Sequence, residues 1–223
     1  MRAFMAGLAA VATLAGPVGC GGLETRLDSP QAAERDPAAV SDAREKLADL
    51  AVKGRAPKTG FDRDEFGPAW ADVDRNGCDT RNDILKRDLA DETFKADTHD
   101  CIVLTGTLKD PYSGKTIEFK RGQDTSTDVQ IDHVIPLSDA WQKGAQQWSA
   151  TKRKEFANDP LNLLAVDGPL NGQKSDSDAA TWLPPRKAYR CTYIARQIDV
   201  KAKYGLWVTA AEKDAMESIL ADC

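Results

Sequence analysis

Two short apolar stretches, each followed closely by a proline, place the sharpest limit on how this 223-residue chain can fold. In the first, Asp128-Val129-Gln130-Ile131 alternates polar and β-branched residues and runs into Asp132-His133-Val134-Ile135-Pro136. Alternation with period two marks a strand, and Pro136, lacking an N–H, stops its ladder. In the second, residues 163–166 form a continuous apolar run closed by Asp167-Gly168-Pro169, which reads as a buried strand and a turn. Leu170-Asn171-Gly172-Gln173-Lys174 then begins a short helical piece. On a helix Asn171 and Lys174, three apart, project from one face. Strand, loop, strand and helix in that order gather Asp132, His133, Asn171 and Lys174 around one small cavity. His133 is one of only two histidines in the chain, so its place beside a carboxylate singles it out.

This arrangement resembles the HNH nuclease superfamily with its ββα-metal motif. It is similar to the secreted HNH endonuclease-like proteins related to the C-terminal domain of GmrSD restriction enzymes. Asp132-His133-Val134-Ile135-Pro136 with Asn171-Gly172-Gln173-Lys174-Ser175-Asp176 also resembles the HNH domain of RNA-guided DNA nucleases. The motif core covers residues 128–178, and the wider likeness runs from about residue 60 to the C-terminus. The resemblance implies a role for each residue. His133 is the general base that deprotonates the attacking water. Asp132 and Asn171 hold one divalent cation through oxygen, the preference of Mg²⁺ or Mn²⁺. Asn162 braces the loop that carries the histidine, and Lys174 meets a phosphate oxygen as a point charge. Read singly, each residue has a plainer alternative: Asn162 a turn residue, Asn171 a helix N-cap, Lys174 a solvated charge.

Two departures from the family pattern stand out. Many members carry histidine where this chain has Asn171, which argues against tight Zn²⁺ binding. The gap from His133 to Asn162 is also long for a compact hairpin; residues 138–158, with Trp141, Trp148 and Phe156, read as one or two inserted helices.

The net charge of −5 weighs against a polyanionic partner, but it is unevenly spread. Residues 120–210 hold 13 Lys/Arg against 10 Asp/Glu. The surplus includes Lys152, Arg153, Lys154, Arg186, Lys187, Arg190, Arg196, Lys201 and Lys203, a modest electrostatic footprint for nucleic acid. Each of these lysines has a solvated helix face as its plainer reading.

Met1-Arg2 precedes an apolar run over residues 3–15, a signal peptide too short to span a membrane. It ends in Gly16-Pro17-Val18-Gly19-Cys20, which resembles a bacterial lipobox in which Cys20 is lipidated; Pro17 departs from that pattern, and simple secretion is the other outcome. Either way the protein is exported. Four cysteines remain beyond Cys20, an even number that implies two disulfides in an exported chain. Cys78–Cys101 with Cys191–Cys223 is the preferred pairing, because each bridge closes a local segment and the second ties down the last helix. No CxxC pattern suggests a zinc ribbon.

Residues 21–37 read as a flexible tether and residues 38–223 as one nuclease-like domain. The expected elements are a helix over residues 40–52, strands over 102–108 and 116–119 joined by an Asp110-Pro111-Tyr112-Ser113-Gly114 turn, a helix from Pro184-Pro185 to about Tyr204, and a final helix from a Thr209/Glu212 capping box to about Leu220. The fold class is α+β: one small central antiparallel sheet, with the ββα unit, surrounded by helices. Residues 72–83 fit a calcium loop with Asp72, Asp74, Asn76 and Asp83 as oxygen ligands and Gly77 at the sharp turn, and with a helix over residues 84–89. The other reading is an Asp/Asn-rich turn capping that helix; Arg81 within it could reach a substrate phosphate. His99 lies in a polar loop and reads as a surface histidine.

Together these features describe an exported, monomeric, metal-dependent endonuclease acting on DNA rather than RNA, with a membrane contact only through a lipid anchor. A non-catalytic envelope binding module on the same scaffold, and a nuclease acting on RNA, are the rival readings.

Overall fold

A computed structural model describes residues 37–223. The leader, Cys20 and nearly all of the tether lie outside the described residues. The chain is α+β, but its strands form two antiparallel sheets instead of one central sheet. The first contains β1 (Leu89–Phe94), β2 (Val103–Lys109) and β3 (Thr116–Lys120); the second contains β4 (Val129–His133) and β5 (Leu163–Asp167). Helix α2 (Thr80–Asp88) packs against both, so Ile84 and Leu85 join Leu108 and Phe119 of one sheet to Ile131 and Leu163 of the other in a single apolar cluster.

Strand β5 shows why its sequence is apolar without interruption. Leu163 and Ala165 face the α2 cluster, whereas Leu164 and Val166 face a second core built on α1 (Pro37–Asp49), α6 (Arg190–Tyr204) and α7 (Ala210–Ala221). A strand covered on both faces has no polar side. Deleting one of these buried leucines costs about 2–5 kcal/mol. A third cluster gathers Trp141 of α3 (Leu137–Gln142), Phe156 of α4 (Ala150–Ala157) and Phe66 with Tyr204. The insertion between His133 and Asn162 is therefore two helices with their own core.

Several boundaries differ from expectation for local reasons. Helix α1 stops at Asp49 because Val52 leaves it to bridge Val208 and the Lys53 amide donates to the Val208 carbonyl. Helix α6 begins at Arg190, not at the prolines, because the Arg186 amide donates to the Tyr112 carbonyl and holds that stretch extended. Helix α2 runs from Thr80 to Asp88, and Leu89 opens a strand where the helix was expected to end. That strand, β1, is irregular: its register shifts near Asp91, which has φ 53°. The Thr209/Glu212 capping box opens α7 as expected.

Glu212 also joins a buried charge cluster. Lys143 lies 2.7 Å from Glu212, 2.7 Å from Asp139 and 2.9 Å from Asp178, and Lys201 lies 2.9 Å from Glu212. The cluster ties α3, α6 and α7 to the loop that carries Asp178. Both expected disulfides form: Cys78–Cys101 and Cys191–Cys223. The second staples the first turn of α6 to the chain's last residue, across 32 positions. Closing a loop of that length removes about 3–4 kcal/mol of unfolded-state entropy. Replacing Cys191 and Cys223 by alanine should therefore lower unfolding free energy by roughly 2–4 kcal/mol in urea titration. Thiol titration of the native wild type should find Cys78, Cys101, Cys191 and Cys223 unreactive; labelling of any of them contradicts the pairing.

Candidate active site

The site begins where β4 ends. Strands β4 and β5 pair in register from Val129–Asp167 to His133–Leu163. Beyond His133 the chain is held by Asn162, which is wholly buried. The Asn162 carbonyl accepts from the Val134 amide at 2.8 Å. Its side-chain Oδ1 accepts from the Ile135 amide at 2.8 Å, and its Nδ2 donates to the Ile135 carbonyl at 3.3 Å. These bonds replace the ladder that Pro136 cannot continue. The turn carrying Asn162 is itself clamped, since Arg87 and Arg196 both donate to the Pro160 and Leu163 carbonyls.

Helix α5 (Gly168–Lys174) completes the ββα unit. Its N-cap is Asp167, whose carboxylate accepts from the Leu170 amide, so Asn171 sits inside the helix and not at its cap. The β5–α5 corner needs glycine: a Cβ on Gly168 would lie 2.0 Å from the Thr127 carbonyl oxygen. At the other end of α5, Lys174 is wholly buried. Its ammonium donates to Asp132 Oδ1 and to the His133 carbonyl, each at 2.9 Å. Asp132 Oδ2 accepts from the buried Tyr112 hydroxyl at 2.6 Å. The expected phosphate contact from Lys174 does not fit this placement, because the ammonium is buried and donates to Asp132 and the His133 carbonyl.

His133 Nε2 lies 2.8 Å from the Ala157 carbonyl oxygen. A carbonyl oxygen can only accept, so Nε2 carries the proton and Nδ1 keeps the lone pair. The Trp70 ring stacks against the imidazole, 6.0 Å between centroids and 14° from parallel. Burial pushes the His133 imidazolium down to about 4; Arg63 and Lys174 push the same way, and the Ala157 carbonyl opposes them. The ring is thus neutral at neutral pH. It lines two adjoining clefts. One, of about 300 Å³, is also lined by Asp132, Asn171, Lys58, Arg63 and Asp176. The other, of about 210 Å³, runs between Trp70, Phe66, Pro68 and Ala157.

Asn171 Nδ2 donates to Gln130 Oε1 at 2.9 Å, which fixes the amide and leaves Oδ1 without a protein donor among the described residues. Asp132 and Asn171 both line the larger cleft, and oxygen is what a hard cation requires, although the two Asp132 oxygens already accept from Lys174 and Tyr112. Among the described residues no group of three or more His, Cys, Asp or Glu side chains is arranged to hold a metal ion. The loop over residues 72–83 is closed by its own groups: Asp72 accepts from the Asn76 and Gly77 amides, and the Asn76 side chain donates to Asp74 and Asp83. Asp79, in the same loop, caps α2. Arg81 is turned inward, 3.4 Å from the Ser126 and Val129 carbonyls, and does not reach toward the clefts.

Much of the expected basic footprint is engaged with the protein's own groups. Lys201 is buried in the charge cluster, Arg196 and Arg190 hold backbone carbonyls, Lys203 pairs with Asp159, and Arg153 pairs with Glu65. The cations that do face the site are Arg63 and Lys58, together with the aromatic wall of Trp70, and sequence reasoning did not assign them there. Their only signal is the Phe61, Phe66 and Trp70 spacing before the first disulfide, which marks an aromatic strap without saying what it covers.

Residues 79–219 match the family described as GmrSD restriction endonucleases, C-terminal domain. The chain is also 36% identical, over 99% of its length and 98% of the relative's, to an "uncharacterized secreted protein" of Arthroderma benhamiae. That relative's name and the two disulfides fit an exported protein. No solved structure matches.

The buried pair makes a specific prediction. Lys174→Met leaves the Asp132 carboxylate uncompensated and should destabilise the fold by about 3–5 kcal/mol in urea titration. Lys174→Met with Asp132→Asn removes both charges and should recover much of that loss. Equal stability of Lys174→Met and wild type would contradict the pairing.

Proposed function

The chain belongs to the family of the C-terminal domain of GmrSD restriction endonucleases, and from that premise we propose that it is an exported metal-dependent endonuclease that hydrolyses DNA phosphodiester bonds with His133 as general base. The observation that carries this reading is the bond from His133 to the Ala157 carbonyl, which keeps the ring proton on Nε2 and leaves Nδ1 as the acceptor. A base must be unprotonated at working pH and must offer its lone pair to the substrate side. His133 meets the first condition through burial and the second through a tautomer fixed by a carbonyl.

The other residues act through position. Asn162 sets the backbone just after His133, so the ring cannot swing with the loop. Lys174 holds the His133 carbonyl and neutralises part of the Asp132 charge. Arg63, exposed and without a carboxylate partner among the described residues, is placed to meet a phosphate oxygen; Lys58 shares the cleft but is paired with Asp176 at 3.1 Å. Asp132 and Asn171 would hold the cation. Mg²⁺ or Mn²⁺ fits this all-oxygen pair better than Zn²⁺, since it keeps most of its own water and asks for few protein ligands. When bound, such an ion supplies charge neutralisation at the phosphate and the leaving oxygen. The ammonium of Lys174 on the same carboxylate keeps that affinity weak. The description of the family as restriction endonucleases is what favours DNA over RNA.

Purified mature protein should nick supercoiled plasmid with Mg²⁺ or Mn²⁺ and stop with EDTA. His133→Ala should lower the rate by roughly 10²–10⁴-fold while circular dichroism shows an intact fold. Asn171→Ala should also slow cleavage but recover in part at higher metal concentration, because a ligand and not the base is lost. RNA cleaved in preference to DNA would change the substrate and keep the mechanism. A folded wild type that leaves both polymers intact with either metal would leave only the binding module, and a fully active His133→Ala would exclude this mechanism.

A further inference from the structure

The smaller cleft beside His133 has no part in the hydrolysis just described, and its lining differs from that of the larger one. The larger cleft carries Arg63, Lys58, Asp132 and Asn171 and suits a phosphate with its cation. The smaller is mainly apolar, walled by Phe66, Pro68, Ala69, Trp70 and Ala157, and Asp64 lies on it as well. A carboxylate on an apolar slot disfavours a phosphate and tolerates a neutral ring. The two clefts share Arg63, His133 and Leu137, so a group in the slot sits one step along a chain whose phosphate lies at the base.

A second observation concerns a residue that lines the same slot. Asn158, which lines it, is wholly buried; its Nδ2 donates to the Lys154 carbonyl, but its Oδ1 has no hydrogen-bond partner. A buried acceptor without a donor is costly to leave unpaired. The edge of a nucleobase carries N–H groups of the kind that would satisfy it. Trp70 meanwhile offers the π surface on which bases of any sequence stack. The Trp70 backbone is held at φ 58°, a strained conformation for tryptophan, and its ring lies parallel to His133.

We propose that the cleft formed by Trp70, Phe66, Pro68 and Asn158 is a nucleobase subsite that accepts one unstacked base next to the scissile phosphate, so that the substrate class is single-stranded or locally unpaired DNA. This rests on the nuclease reading of His133 and deepens it. In an intact duplex both faces of a base are covered by its neighbours, so it must leave the stack before it can lie on Trp70. An unpaired strand has already met that cost.

The test compares a single-stranded oligodeoxynucleotide with the same strand carrying one central abasic nucleotide, all phosphates being intact. With wild-type protein and Mg²⁺, cleavage at the bonds flanking the abasic position should fall about tenfold relative to those bonds in the intact strand. A duplex of the same sequence should be cut more slowly than the single strand. Trp70→Phe should keep the discrimination, and Trp70→Ala should cut both strands alike. The wild-type comparison still decides if Trp70→Ala fails to fold. Fluorescence anisotropy of the two strands on His133→Ala protein in EDTA repeats the comparison without turnover. Tighter binding of the intact strand by about tenfold supports the subsite even if no strand is ever cleaved, an outcome that would defeat only the nuclease reading. Equal affinity and equal flanking cleavage for intact and abasic strands would overturn the subsite and leave the role of His133 standing.

Discussion

A wholly buried ammonium cannot remain in a protein interior without partners, and that of Lys174 finds them at one place only, the end of β4. An unpaired charge there would cost several kcal/mol, so the last residue of α5 is fixed against Asp132 and the His133 carbonyl. Tyr112, from the turn between β2 and β3, closes the other side of the same carboxylate. One polar knot thus joins the first sheet to the ββα unit. The position of His133 follows from it: its carbonyl is held by Lys174, its two successors by Asn162, its ring by Ala157 and Trp70. In the proposed role of base, a ring whose backbone, orientation and tautomer are each set by separate elements needs little reorganisation when substrate arrives.

The ββα unit was legible in the sequence because its signals are local. Alternation over residues 128–131, an apolar run at β5 and prolines just beyond each say which residues pair and where pairing stops. Both disulfides followed from parity and proximity, and the α7 capping box from residue spacing. What escaped was set by tertiary partners. Lys174 looks like any lysine on a short helix until the fold brings a carboxylate to it. Strand β1, with Asp91 and Glu92 in its middle, lacks a strand's composition and exists because Leu89 pairs with Leu108. The sheet divides in two because α2 lies between its halves, and no periodicity announces where a helix will pack.

Charge was the least legible property. A surplus of Lys and Arg around the motif suggested a surface for a polyanion, yet most of these side chains hold backbone carbonyls or buried carboxylates. Lys143 and Lys201 answer Asp139, Asp178 and Glu212 inside the helical layer, and Arg87 and Arg196 hold the turn that carries Asn162. Counting charges cannot separate these from the few that face solvent. Arg63, outside the basic segment altogether, is an exposed cation that lines both clefts. The −5 net charge and a nucleic-acid substrate are compatible under the proposed reading, in which recognition is concentrated in two small clefts and does not require a basic face.

The central claim is that the fold presents His133 as a neutral ring with Nδ1 free. Nitrogen-15 correlation spectra of the imidazoles read the tautomer directly, and with two histidines in the chain His133 is assigned by comparison with His99→Gln. At pH 7 the account predicts a neutral His133 with the proton on Nε2 and an unprotonated Nδ1, independent of any substrate or metal. A proton on Nδ1, or a doubly protonated ring at that pH, would contradict it.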